Sequence, residues 1–183
     1  MYDDCVIRLS GKNVNLCTLS TSEEAIKLYT KWSNDETINM WIGGNNSISH
    51  FQEEQSWCTQ DRSNNNSCNF TIFTKEGKMI GTCSCGHYDG ITAYIGITIG
   101  DHDEMNKGYG TEVISMLVKF AFEEQNAHRV ALSVVSENAR AIKCYTKVGF
   151  VECGRDHEAV YYHGHYCDNI HMEILRKEWK HAV

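Results

Sequence analysis

AYIGITIGDHDEMNKGYGTEVISMLVKFAFEE, residues 93–124, decides the fold of this 183-residue chain. Its first part, Ala93 to Ile99, is rich in Ile and Tyr and predicts a strand. A polar loop follows from Gly100 to Asn106, then Lys107-Gly108-Tyr109-Gly110-Thr111. Beyond it Val113, Leu117, Phe120 and Ala121 recur at helical spacing, and Ile114, Met116, Val118 and Phe122 fill most of the remaining turn. A helix apolar nearly all round belongs inside a protein, not on its surface.

A strand, a loop with two glycines and a buried helix together make an anion cradle. Glycine lets backbone approach a ligand closely, and the N–H groups of a helix's first turn have no intrahelical partner. The helix dipole adds positive potential there, which favours a phosphate. A Walker loop needs Gly-Lys-Ser/Thr, whereas Lys107 precedes its glycine. A dinucleotide fingerprint wants a third glycine where Val113 stands. Residues 105–110, Met-Asn-Lys-Gly-Tyr-Gly, instead resemble the pyrophosphate loop of the GNAT acetyltransferases, Arg/Gln-x-x-Gly-x-Gly/Ala. Met105 stands where Arg or Gln is usual in that family.

A second motif supports the same family. Residues 138–150 read Asn-Ala-Arg-Ala-Ile-Lys-Cys-Tyr-Thr-Lys-Val-Gly-Phe. They resemble the GNAT signature Asn-x-x-Ala-x-x-x-Tyr-x-Lys-x-Gly-Phe, at family spacing from the glycine loop. Taken singly, the pieces are a capping Asn, a tyrosine on a helix face and a Gly stop. The ends of the chain, Leu9-Ser10-Gly11-Lys12-Asn13-Val14-Asn15-Leu16 and Asp168-Asn169-Ile170-His171-Met172-Glu173-Ile174-Leu175, with Trp32-Ser33-Asn34-Asp35, resemble one branch. That branch contains the ribosomal-protein-alanine and spermidine N-acetyltransferases.

Working outward, residues 5–19 predict one or two strands around Gly11. Thr21 with Glu24 forms a capping box opening a helix to about Trp32. Ser33 to Asn46 is a short helix or loop, and Ser49 caps a second helix that carries Glu53 and buries Trp57. After the loop Asp61 to Ser67, strands at Cys68–Thr74 and Met79–His87 make a hairpin. Arg129 to Val135 is apolar on both faces, as an internal strand should be. Asn138 opens another helix ending at Val148-Gly149, and Phe150–His157 and Tyr166–Ile174 close the chain as strands around Tyr162-His163-Gly164. This order predicts an α+β fold: a GNAT-like mixed central sheet, partly antiparallel and partly parallel, flanked by helices. With no repeat and no linker, residues 1–183 form a single domain.

The formal charge of −7 disfavours nucleic-acid partners and mildly favours a cationic substrate. No apolar run has membrane-spanning length, and the polar start, Met1-Tyr2-Asp3-Asp4, is unlike a signal peptide. A cytoplasmic location without membrane association is expected, with the nine cysteines reduced. Cys83, Cys85 and His87, and His163, His165 and Cys167, alternate along strand-like runs. That spacing is not the knuckle of a structural zinc site, so no metal is expected.

The resemblance implies acetyl transfer from acetyl-CoA directly to a primary amine of a small molecule or peptide. It puts the diphosphate on Met105, Asn106, Lys107, Gly108, Tyr109, Gly110 and Thr111, and the pantetheine arm along the main chain of Ile97, Thr98 and Ile99. Asn138, Ala141, Tyr145 and Lys147 complete the implied cofactor site. Tyr145 is the implied catalytic acid, because a phenol of pKa about 10 can protonate a leaving thiolate whose conjugate acid is near 8.5. Related enzymes often place a Glu base where this chain has Tyr94. An ordered water, Asp35 and Glu53 are alternative bases, each carboxylate also readable as a solvated surface charge. Trp32, Asn34, Trp41, Tyr94 and Tyr161 are candidates for an acceptor pocket, since aromatics suit a cation. Family members often pair, which extends the expectation of a homodimer here. A non-catalytic acyl-CoA sensor of the same fold is the alternative that Met105 and Tyr94 leave open.

Overall fold

The computed structural model describes residues 4–42, 48–61, 67–86 and 89–179. The first two strands, β1 (Ile7–Ser10) and β2 (Val14–Thr18), lead into α1 (Glu23–Ser33), the short α2 (Glu36–Asn39) and α3 (Phe51–Asp61). The chain then runs through β3 (Ser67–Thr74), β4 (Met79–Gly86) and β5 (Thr92–Ile99). After a single 3-10 turn at His102–Glu104 come α4 (Tyr109–Glu123), β6 (Arg129–Val135), α5 (Ala139–Val148), β7 (Val151–Tyr162) and β8 (His165–Leu175). One eight-stranded sheet has the order β1-β2-β3-β4-β5-β6-β8-β7. Its neighbours are antiparallel except β5 and β6, which are parallel. This is the mixed sheet expected from the sequence. A parallel pair needs a crossover, and α4 supplies it.

Alternation along β3 divides the core into two layers. Phe70 and Ile72 join the cluster around α4, whose Val113, Ile114, Leu117, Val118, Ala121 and Phe122 are all fully buried. Phe73, from the other face, joins Ala25, Ile26, Tyr29 and Trp32 of α1. The apolar all-round reading of α4 therefore holds, with Lys119 and the final Glu123 as its exposed residues. Burying the five larger of these side chains at roughly 1.5–3 kcal/mol each makes α4 the main hydrophobic anchor of the sheet.

Several local expectations give way to tertiary contacts. Ser22, not Thr21, caps α1, its hydroxyl accepting from Ala25 N–H. Thr21 is drawn off because its N–H and hydroxyl donate to Asp4. Ser49 does not cap α3: its N–H donates to Asn34 Oδ1, and Glu53 Oε2 accepts from His50 N–H instead. Trp57 is 40% exposed while its neighbour Cys58 takes the buried position. The last two strands run longer than their apolar patterns, meeting in a turn at His163-Gly164. Here strand pairing, not burial, sets the ends, since most of β7 is exposed.

Candidate active site

The site exists because two parallel strands part. β5 and β6 pair only where Thr92, Ala93 and Tyr94 face Arg129, Val130 and Ala131. Yet β5 continues to Ile99 and β6 to Val135. Gly100 N–H bonds Ile80 O on the β4 side, while Ile91 O accepts from His128 and Arg129 on the β6 side. Alternation along β5 therefore turns the backbone groups of Ile95, Ile97 and Ile99 toward the gap, where β6 no longer pairs with them. That edge is a template for an extended ligand.

The gap widens into a cleft of about 410 Å³. Ile97, Thr98, Ile99, Met105, Asn106, Gly108, Tyr109, Gly110, Thr111, Asn138, Ala141, Tyr145 and Lys147 line it. Lys107 does not; it pairs with Glu104 at 2.9 Å. Gly108 is the N-cap of α4 at φ +89°, a left-handed conformation that glycine adopts without strain. The first helical bond runs from Glu112 N–H to Gly108 O, so the preceding N–H groups have no partner within the helix. Gly110 is adjacent and fits a side chain more easily: a Cβ there would meet nothing nearer than Cys144 Sγ at 3.8 Å.

Charge around this loop favours an anion. Arg140, Lys143 and Lys147 line one wall, all from α5. The Arg140 guanidinium lies 2.9 Å from Met105 Sδ. Met105 thus has a cation from α5 beside it. Glu104 also reaches the cleft, but Lys78 and Lys107 hydrogen-bond it and hold its carboxyl below the usual range. Arg140 and Lys143 were not singled out from the sequence. Their signal was there, because positions 140, 143 and 147 put three cations on one helical face.

Tyr145 sits where the cleft meets a second cavity of about 460 Å³, and lines both. It is 8% exposed and packs edge-on against Phe150. Burial pushes its phenol up to about 12, with the neighbouring Cys144 adding to the rise. Asn138 caps α5 by accepting from Ala141 N–H, and Gly149 ends it in the left-handed region. This ten-residue helix fixes the tyrosine ring at the mouth of the gap.

Of the residues expected at an acceptor pocket, Trp32 lines a third cavity of about 500 Å³ with Tyr29, Glu53, Glu54 and Trp57. This cavity and the second share Ile42, Trp57, Thr82 and Thr98, so they adjoin. Trp41 lines the cofactor-sized cleft and the second cavity. Asn34 lies outside all three and ties α1 to the start of α3 by bonds to Thr30 O and Ser49. Tyr94 is 44% exposed at the closed end of the strand gap, away from the cavities. Tyr161 is exposed and packs on Tyr166; its neighbour Tyr162 is the one that meets Trp41, at 4.9 Å. Asp35 caps α2 and accepts from His102 Nε2, whereas Glu53 faces the third cavity. The sequence missed Trp57 and Glu54 because they face a space defined by α1, α3 and the sheet together.

Cys83 and Cys85 are buried in the β4 core face, and Cys167 donates to Val160 O on the β7–β8 hairpin. His87 lies outside the described residues. Among the described residues no group of three His, Cys, Asp or Glu side chains is arranged to hold a metal. Nor is any helix long and apolar enough to cross a membrane.

A family model described as an acetyltransferase (GNAT) domain matches residues 14–151. YdaF of Bacillus subtilis, provisionally named a ribosomal N-acetyltransferase, is 29% identical over 107 residues, 57% of this chain and 58% of that protein. The spermidine N(1)-acetyltransferase of Vibrio cholerae is 31% identical over 77 residues, 42% of this chain and 44% of that protein. The chain thus spans about half the length of these curated relatives. A crystal structure of the Vibrio cholerae spermidine N-acetyltransferase with CoA and spermine superposes with a TM-score of 0.81. It covers 91% of this chain and 97% of that one at 23% identity, a likeness that carries the fold.

Proposed function

We propose, from the premise that this chain belongs to the GNAT acetyltransferase family, that it moves an acetyl group from acetyl-CoA directly to a primary amine. The observation that carries this reading is the shared lining of one cleft: an open strand edge, a glycine-led helix N-terminus and a buried tyrosine.

In this reading the open backbone of Ile97 and Ile99 pairs with the amides of the pantetheine arm as an added strand would. The amides from Met105 to Thr111 receive the diphosphate, and Asn138, Ala141 and Lys147 flank it from α5. Arg140 supplies the cation that Met105 does not, so the missing loop Arg or Gln does not argue against binding. The backbone at the parted strands stabilises the developing oxyanion. Tyr145 then protonates the leaving sulfur. The phenol is neutral throughout the neutral range, and burial, which makes it a weaker acid, means that its proton moves only as charge develops on sulfur.

The acceptor enters from the opposite side, through the cavity bounded by Trp32, Trp57, Glu53 and Glu54. Aromatic walls with two carboxylates favour a cation, which suits a polyamine or another small cationic amine. The spermidine acetyltransferase among the relatives is consistent with that class.

The test is thiol release from acetyl-CoA with spermidine, spermine, aminoglycosides, amino acids and N-terminal peptides as acceptors. Turnover with at least one amine is expected. CoA binding by calorimetry without turnover on any of them would replace this reading with that of a non-catalytic acyl-CoA sensor.

A further inference from the structure

The amine must shed a proton before it attacks, and Tyr94 lies away from the cavities at the place where a base was expected. Three residues unassigned by the sequence motifs meet this need. Ser133 on β6 stands opposite His171 on β8, and its Oγ lies 3.0 Å from His171 Nδ1. His171 Nε2 lies 2.7 Å from Asp156 Oδ2 on β7. A carboxylate only accepts, so Nε2 carries a hydrogen, and in the neutral form of the ring Nδ1 accepts from the serine hydroxyl. Ser133 lines both the cofactor cleft and the second cavity, as Tyr145 does. One end of this chain of hydrogen bonds therefore stands at the junction where donor and acceptor would meet.

We propose that Ser133, His171 and Asp156 form the relay that takes the proton from the acceptor ammonium. The inference rests on the acetyl-transfer reading. Ser133 Oγ receives the proton from the ammonium nitrogen while its own hydroxyl hydrogen passes to His171 Nδ1. The ring becomes an imidazolium, held by the Asp156 carboxylate, and the amine is left with a free lone pair. That lone pair forms the new C–N bond, and the C–S bond breaks as Tyr145 gives its hydrogen to sulfur. The remaining excess proton on nitrogen restores the tyrosine, so one proton per turnover is left on His171. The side chains of His171 and Asp156 are 39% and 57% exposed, which lets that proton pass to water. The same face carries Arg129 and Glu173, paired at 3.0 Å, with Glu173 one alternation along from His171 and Arg129 two from Ser133, and His165, which faces Glu137 at 3.8 Å. Cys153 of β7 donates to His171 O and not to the ring. Ser133 is the group that touches substrate; His171 and Asp156 act through it.

The experiment measures kcat/KM for spermidine from pH 6.5 to 10.5 in the wild type, Ser133→Ala, His171→Ala and Asp156→Asn. His171→Ala should lose about 100-fold near pH 7.5, the lower range for a general base. The deficit should shrink toward unity as pH nears the amine's own pKa, about 10.4, because free amine no longer needs the relay. Asp156→Asn should lose less, and His171→Ala and Asp156→Asn, which lie outside the cleft lining, should keep the wild-type affinity for CoA. No deficit, or the same deficit at every pH, overturns the relay. If the wild type acetylates no amine, the enzyme reading itself fails, and the relay geometry is judged separately by imidazole nitrogen NMR. A neutral His171 protonated at Nε2, with an Nδ1 resonance that moves in Ser133→Ala, supports it; an Nδ1–H tautomer overturns it.

Discussion

Replacing Tyr145 by Phe removes one oxygen and leaves the ring packed on Phe150, whose centroid lies 6.1 Å away. If the phenol donates a proton to sulfur, kcat should fall by about 10²–10⁴, or roughly 2.7–5.5 kcal/mol of barrier. The affinity for CoA should stay within about twofold, since a proton given to sulfur only as the C–S bond breaks adds little to binding of the ground state. The same substitution makes a stability prediction of known sign. Burial raises the Tyr145 pKa from 10.0 to about 12, so below pH 10 the group is neutral in both folded and unfolded chains and contributes no pH dependence. Between pH 10 and 12 the unfolded chain loses its proton first, and stability falls with rising pH by about 2.7 kcal/mol at 1.36 kcal/mol per unit. Tyr145→Phe abolishes that loss. Denaturant unfolding at pH 8 and pH 11 should give equal stabilities for the two proteins at the lower pH and a more stable variant at the higher. Stopped-flow or thiol-release assays supply kcat. A variant within threefold of wild-type kcat, or one already destabilised at pH 8, would refute the assignment.

The loop, the basic wall and a buried tether each allow a further test. Gly110→Ala should keep the melting temperature, since its Cβ finds only Cys144 Sγ at 3.8 Å, yet weaken CoA binding if the diphosphate lies against that backbone. Gly108→Ala should cost about 1 kcal/mol of stability through its φ of +89°, so thermal melts paired with calorimetry separate the two glycines. Arg140→Ala should weaken CoA by roughly 10–150-fold, the range for a hydrogen bond to a charged group. That loss should shrink as salt is raised, and restoring a cation with Met105→Arg should recover part of it. Glu112 accepts from Asn13 N–H and Nδ2–H, both at 2.8 Å, tying the β1–β2 turn to α4. Burial works to raise its pKa, but these bonds outweigh it and the net shift is downward. It therefore contributes stability above the unfolded carboxyl range that disappears as pH falls through the folded value. Glu112→Gln should flatten acid unfolding between about pH 5 and 3, read from melting temperature against pH.

Much of this protein was legible before any coordinates, and the parts that were share a property. The strand at 92–99, the buried helix at 109–123, the strand at 129–135 and the Asn-capped helix at 139–148 are dictated by periodicity and by local stop and start residues. Contiguous segments therefore announce themselves, and with them the glycine loop and Tyr145, which are single positions on those segments. Caps competed for by distant partners did not: Asp4 diverts Thr21, and Asn34 diverts Ser49. The resemblance implied an open strand edge at Ile97–Ile99, but local pattern alone did not show where β5 and β6 part, because pairing register is a relation between strands and neither sequence records where the other turns away. The cavity between α1, α3 and the sheet and the Ser133–His171–Asp156 chain have the same origin: each draws on several elements, whose residues lie as far apart as positions 29 and 98 in the first and 133 and 171 in the second. Local pattern thus determined the elements and the family. Only packing, which brings distant side chains within about 3 Å of one another, decided what those elements enclose.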